Sequence, residues 1–115
     1  MSTFQWAVLG LMGLGIGWML LVRRGDVSPE DARRLVGEGA LLLDVRTVAE
    51  FSSGHLPNAM NVPLGELDAK LRELGAKDRA IVVYCLSGTR SAMAKRALER
   101  AGFQKVVNLG AMSRW

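Results

Sequence analysis

Polar and apolar positions split this chain into two unlike parts. Residues 4–22 carry no charged side chain, and every Lys, Arg, Asp and Glu lies at or after Arg23. Gln5 is the only conventionally polar side chain of that run, and Trp6 and Trp18 stand towards its ends, where indoles favour a membrane interface. Wound as a helix at ~1.5 Å per residue, 4–22 would span roughly 28 Å, close to a bilayer's hydrocarbon thickness. The pattern predicts a transmembrane helix over about 4–22, inside an anchor of residues 1–22.

Beyond a short linker over 23–27, apolar runs alternate with helical spacings. Ser28-Pro29-Glu30-Asp31 reads as a helix start: Ser28 caps, Pro29 fits the first helical position, and acids suit the first turn. That helix is predicted to run to about Val36, before Gly37 and Gly39. Ala40-Leu41-Leu42-Leu43-Asp44-Val45 is a continuous apolar strand. Thr47-Val48-Ala49-Glu50 is a capping-box pattern opening a short helix. Residues 52–58 are loop, with Gly54 and Pro57 as punctuation, and 59–62 form a short strand. Pro63 and Gly65 break it, and 66–74 is expected as an amphipathic helix with Leu67, Leu71 and Leu74 on one face. A buried strand over 81–85 leads to a helix over 91–101 closed by Gly102, then a strand over 105–109. Strands alternating with helices predict an α/β fold with a parallel sheet flanked by helices, over 28–115. Ligands of such sheets bind at the carboxyl ends of the strands, where Asp44 and Cys85 fall.

Charge and composition sharpen this picture. The net charge of +4 belongs wholly to residues 23–115. Arg23 and Arg24 directly after the apolar run place the domain on the cytoplasmic side by the positive-inside rule, giving a single-pass protein of the inner (plasma) membrane. A signal peptide does not fit: Met1-Ser2-Thr3 has no basic side chain and no A-x-A site precedes Arg23. Membrane lipid is therefore an expected partner through residues 4–22. Gly13 and Gly17 form a small-xxx-small pair that would allow a homodimer through that face. One Cys and one His cannot build a zinc site or an intrachain disulfide, and no metal or cofactor is expected. No nucleic-acid partner is expected.

Cys85 is the single cysteine, placed where a buried strand turns into a helix. A thiol there faces the free N–H groups and positive dipole end of the next helix, which favour thiolate, the reactive form. Arg90 adds a positive charge nearby. These features make Cys85 a candidate nucleophile; the alternative is a packed small hydrophobe.

Separated motifs then carry a resemblance. Leu42-Leu43-Asp44-Val45-Arg46, Glu50-Phe51, Gly54-His55-Leu56-Pro57-Asn58-Ala59, Asn61-Val62-Pro63, Val83-Tyr84-Cys85 through Ser91, and Gly110-Ala111-Met112-Ser113-Arg114-Trp115 together resemble a single-domain rhodanese, the thiosulfate sulfurtransferase family. The resemblance implies that Cys85 takes a sulfane sulfur from a small anionic donor, becomes a persulfide, and passes the sulfur to a thiol, small or protein-borne, or to cyanide. It also implies that the backbone N–H groups of Leu86, Ser87, Gly88, Thr89, Arg90 and Ser91 surround the outer sulfur, an anion nest needing no metal. Arg90 would attract thiosulfate and help neutralise departing sulfite. Cysteine phosphatases use C-x5-R, which needs arginine at position 91; Ser91 stands there, and the shorter Cys85-to-Arg90 loop suits one sulfur atom better than a phosphate.

Other residues have quieter expected roles. Asp44 orders nearby loop N–H groups, supported by Arg46. Arg46 and Glu50, four apart, are expected as a structural pair. His55 packs in its loop, Tyr84 beside its strand, and Lys95, Arg96 and Arg100 form a solvated helix face in preference to an anionic-lipid contact. Gly110-Ala111 departs from the family's usual Gly-Gly, and with the sequence stopping at Trp115 one side of the sheet is expected to be less covered, or covered by the membrane or a partner. A competing reading is an inactive rhodanese module that tethers a partner at the membrane.

Overall fold

The computed structural model describes residues 25–115. The expected transmembrane helix over 4–22, its Gly13 and Gly17, and Arg23 and Arg24 lie outside the described residues. Among the described residues no helix is long and apolar enough to cross a membrane.

Helix α1 spans Pro29–Gly37, with Ser28 capping the Asp31 N–H and Pro29 in the first turn. Strand β1 follows as Leu41–Asp44, then helix α2 as Val48–Ser52 and strand β2 as Met60–Asn61. Strand β3 is Ala80–Cys85, helix α3 is Thr89–Arg100, and strand β4 is Lys105–Ala111. The strands form one sheet in the order β2-β1-β3-β4, every pair parallel. The α/β parallel architecture is therefore as expected.

Alternation along the strands builds two cores. Leu41, Leu43, Val45, Ile81, Val83 and Cys85 face α3, burying Ala94 and Leu98 together with Leu67 and Leu74. Leu42, Val82, Tyr84 and Leu109 face the other way, against Ala32, Leu35 and Val36 of α1. Both β1 and β3 are buried on both faces, which is why each reads as an unbroken apolar run. Met112 and Trp115 close the second core, so that side of the sheet is covered rather than open.

Three elements differ from expectation. The stretch 66–74 is not α-helix but two 3-10 segments, Leu64–Glu66 and Asp68–Leu74. Leu64 and Leu67, like Leu71 and Leu74, are three apart, so a three-residue turn lines them up as well as an α-helix would. Helix α3 starts earlier, at Thr89, because Gly88 at φ 103° serves as its N-cap residue. The described part of the expected linker, 25–27, is docked on the domain: the Asp26 N–H donates to the Asn108 carbonyl at 2.8 Å, the Asn108 N–H returns a bond to Asp26 Oδ1 at 2.7 Å, and Lys95 pairs with Asp26. Lys95 is thus a tie for this segment, not part of a solvated face.

A bulge in β4 sets the geometry next to Cys85. Val83 pairs with Asn108 but Tyr84 with Gly110, so Leu109 is the extra residue. The shift brings Ala111 opposite Cys85. Ala111 is buried at φ −70°, an ordinary conformation for a residue with a side chain, so it replaces glycine without strain.

Candidate active site

Because the sheet is parallel, the carboxyl ends of β1 and β3 share one edge, and the segments that leave them meet there. Cys85 ends β3. Its Sγ accepts a hydrogen bond from the Gly88 N–H at 2.9 Å and lies 3.4 Å from Ser91 Oγ. Ser91 donates in turn to the Gly88 carbonyl at 3.0 Å. Gly88 is held in the left-handed region, which turns its N–H back onto the sulfur. Among the described residues this is the one backbone N–H within hydrogen-bond distance of Sγ; the N–H groups of 86, 87, 89, 90 and 91 are not bonded to it. Helix α3 has no side-chain cap, so its first-turn donors remain available at the end where the sulfur sits. Leu86, Ser87 and Thr89 are exposed, Gly88 and Ser91 are buried, and Cys85 itself is fully buried.

Arg90 is not a free cation. Its Nη1 and Nη2 donate to Glu50 Oε1 and Oε2 at 2.6 and 3.0 Å. Glu50 is fixed by its own capping box, accepting from the Thr47 N–H at 3.1 Å while the Thr47 hydroxyl accepts from the Glu50 N–H. Bonding to Arg90, and then to the Thr47 backbone, draws the Glu50 carboxyl down to about 2 from its ordinary 4.5. Glu50 raises Arg90 in return.

The expected Arg46–Glu50 pair does not exist. Arg46 precedes the cap residue Thr47 and so lies outside α2, where four-residue helical spacing has no meaning. Arg46 instead closes on Asp44, with Nη2 to Oδ2 at 2.7 Å, Nε to both carboxylate oxygens at 3.1 Å, and its backbone N–H to Oδ1 at 2.9 Å. Both side chains are buried, and Arg46 also donates to the Gly54 carbonyl at 2.7 Å. Bonding to Asp44 raises Arg46 above its ordinary value. Asp44 therefore orders one loop N–H, that of Arg46, and also neutralises a buried guanidinium.

The roles of three further residues escaped the sequence reading. Glu50 faces Arg90 across forty positions. Asn61 donates from Nδ2 to the carbonyls of Asp44 and Arg46, at 3.1 and 2.9 Å. Tyr84, buried beside Asp44 and raised chiefly by that burial, accepts the Leu56 N–H at 3.1 Å. His55 stacks on Phe51 with ring centroids 3.7 Å apart and bonds the Phe51 carbonyl through Nδ1, so it packs as expected. Among the described residues no cluster of three or more His, Cys, Asp or Glu side chains could hold a metal ion.

Comparison with known proteins bears directly on this loop. The sequence profile of the Rhodanese-like domain matches residues 28–115. The chain belongs to the rhodanese family. Among rhodanese relatives, a sulfurtransferase of Allochromatium vinosum is 39% identical over 79 residues, covering 68% of this chain and 73% of that protein. The thiosulfate sulfurtransferase GlpE of Pseudomonas syringae is 32% identical over 90 residues, covering 77% and 84%. The match to YrkF of Bacillus subtilis spans only 38% of that longer protein. Of solved rhodanese-type structures, the human single-domain sulfurtransferase TSTD1 superposes with a TM-score of 0.72 at 29% identity, covering 77% of this chain and 92% of that one.

Proposed function

We propose that this protein is a membrane-anchored sulfurtransferase that carries a sulfane sulfur on Cys85. The observation behind this reading is the Gly88 N–H donating to Cys85 Sγ at 2.9 Å, at the uncapped start of α3. The Cys85 thiolate attacks the outer sulfur of thiosulfate or of a persulfide donor. The donor's S–S bond breaks, its electron pair leaves with sulfite or the donor thiolate, and Cys85 holds a persulfide. An acceptor thiolate or cyanide then attacks the outer sulfur and Cys85 leaves as thiolate. The anionic sulfur is stabilised by the Gly88 N–H and the first-turn donors of α3. A guanidinium has five N–H donors; Glu50 takes two from Arg90, and the rest remain for the anionic donor. Sγ is buried, so the loop after Cys85 must move to admit substrate.

Residues 4–22 cross the bilayer in this reading, with the domain on the cytoplasmic side of the inner membrane and Gly13 and Gly17 available for a homodimer. The uncharged run and the following Arg23 and Arg24 support it. Alkaline carbonate washing should leave the full chain in the membrane pellet; recovery in the supernatant would contradict the anchor. The activity is tested by thiocyanate release from thiosulfate and cyanide. It should be abolished in Cys85→Ser, and activity that survives the substitution would refute the assignment. Full burial of the thiol is the observation that favours the second reading, a tethering module without turnover; absence of thiocyanate from the unmodified protein would select it.

A further inference from the structure

Three large apolar side chains are exposed among the described residues, Val48, Leu86 and Met93. All three belong to segments that meet at the Cys85 end of the sheet. Leu86 follows Cys85, Met93 lies one turn into α3, and Val48 opens α2, whose Glu50 grips Arg90. An apolar rim does nothing for a small anion such as thiosulfate, but it suits a protein surface brought up to the sulfur.

The same face of α3 continues into a cleft of about 290 Å³. Leu64, Leu67, Met93 and Ala97 wall it, and Arg96 and Arg100 stand over it. Among the described residues these two arginines form no ion pair, unlike Lys95 on the same helix, which pairs with Asp26. Residues 1–24 contain no Asp or Glu, so they supply no counter-charge either. Asp68 is the single carboxylate on the lining, and it pairs with neither arginine. The cleft therefore presents a net positive charge over an apolar floor, on the helix that begins at the reactive loop.

We propose that this groove docks an acidic, partly apolar segment of a protein that exchanges sulfur with Cys85, so that the partner's thiol arrives at the loop already oriented. The inference rests on the sulfurtransferase reading and adds the class of partner. Helical rise fixes the spacing: Arg96 and Arg100 lie roughly 10 and 16 Å along α3 from Thr89 at ~1.5 Å per residue. An extended segment covers that in about three to five residues at ~3.3 Å each, so the partner's acids stand that far from its cysteine. The chemistry is one exchange: the partner thiolate bonds to the outer sulfur, the bond from that sulfur to Cys85 Sγ breaks, and the electron pair returns to Cys85.

The test uses the full chain and two short synthetic peptides, each with one cysteine followed at this spacing by leucines and either glutamates or lysines. Fluorescence anisotropy should show the glutamate peptide binding and the lysine peptide not. The exposed-site variant R96E/R100E should weaken glutamate-peptide binding about tenfold, as reversal of two rim charges implies, and should favour the lysine peptide. With Cys85 loaded with sulfur, kcat/KM for transfer to the glutamate peptide should fall about as much in this variant, while transfer to dithiothreitol stays within about twofold, since it needs no rim charge. Equal binding of both peptides, unchanged binding in R96E/R100E, or binding of anionic vesicles or single-stranded RNA in place of the glutamate peptide would overturn the docking site. If Cys85 takes no sulfur yet the binding pattern holds, the docking stands and the enzymatic reading fails; if sulfur loads and the peptides are not distinguished, the reverse is true.

Discussion

Replacing Asp44 with alanine isolates one buried guanidinium. Asp44 and Arg46 are both buried, and their carboxylate and guanidinium share three side-chain contacts of 2.7 to 3.1 Å. In Asp44→Ala the Arg46 charge keeps the Gly54 carbonyl as a hydrogen-bond partner, at 2.7 Å, with the centroid of the Tyr84 ring 5.8 Å away. Removing one partner of a buried pair costs about 3–5 kcal/mol because the survivor is left uncompensated. Small domains have total stabilities of only about 5–15 kcal/mol, so the melting temperature should fall on the order of 20 °C. The paired variant Asp44→Ala with Arg46→Met removes both charges and should recover more than half the loss, less about 1 kcal/mol for the orphaned Gly54 carbonyl. Urea unfolding of wild type, both single variants and the double variant gives the cycle. A loss below about 1 kcal/mol in Asp44→Ala, or no recovery in the double variant, would refute the reasoning, because a solvated arginine needs no partner.

Other outcomes follow from the same geometry. Gly88→Ala forces a side chain into φ 103°; it should cost about 1–3 kcal/mol and slow persulfide formation more than tenfold, read by thermal melts and single-turnover rates, and a wild-type rate would remove Gly88 from the mechanism. Glu50 titrates at about 2 when folded against an ordinary 4.5, so the stability it lends is present above the ordinary value and is lost as pH falls towards 2. Glu50→Gln should flatten that part of the stability curve by about 1 kcal/mol, solvent exposure of the pair being discounted; an unchanged acid slope in urea melts would contradict the Arg90 pairing. Tyr84→Phe strands the Leu56 N–H and should cost about 1 kcal/mol by urea unfolding, whereas a neutral result would mean that water replaces the hydroxyl.

Much of the sheet was legible because β1 and β3 are central, and a strand buried on both faces must be apolar throughout. The two caps at Ser28 and Thr47 were legible because capping is a local contract between residues three apart. The 3-10 winding of 64–74 was not, since leucines three or four apart satisfy both helix types. The site divides along the same line. Cys85, Gly88 and Ser91 lie within seven consecutive residues, from the end of β3 to the first turn of α3, and their nearness is written in their numbers. The exchange of partners between Arg46–Glu50 and the observed Asp44–Arg46 and Glu50–Arg90 pairs depends on α2 starting only after Arg46 and on two strands meeting at one edge, neither of which a spacing rule can express. The bonds of Asn61 and Tyr84 were not foreseen for the same reason: their polar ends serve segments that only the assembled sheet brings near.

The most direct test is to find where the sulfur goes. After exposure to thiosulfate and removal of excess donor, peptide mapping by mass spectrometry should place one added sulfur atom on the peptide containing Cys85, and cyanide should remove it. An unmodified Cys85 peptide in protein shown to be folded, or added sulfur that persists in Cys85→Ser, would contradict the account.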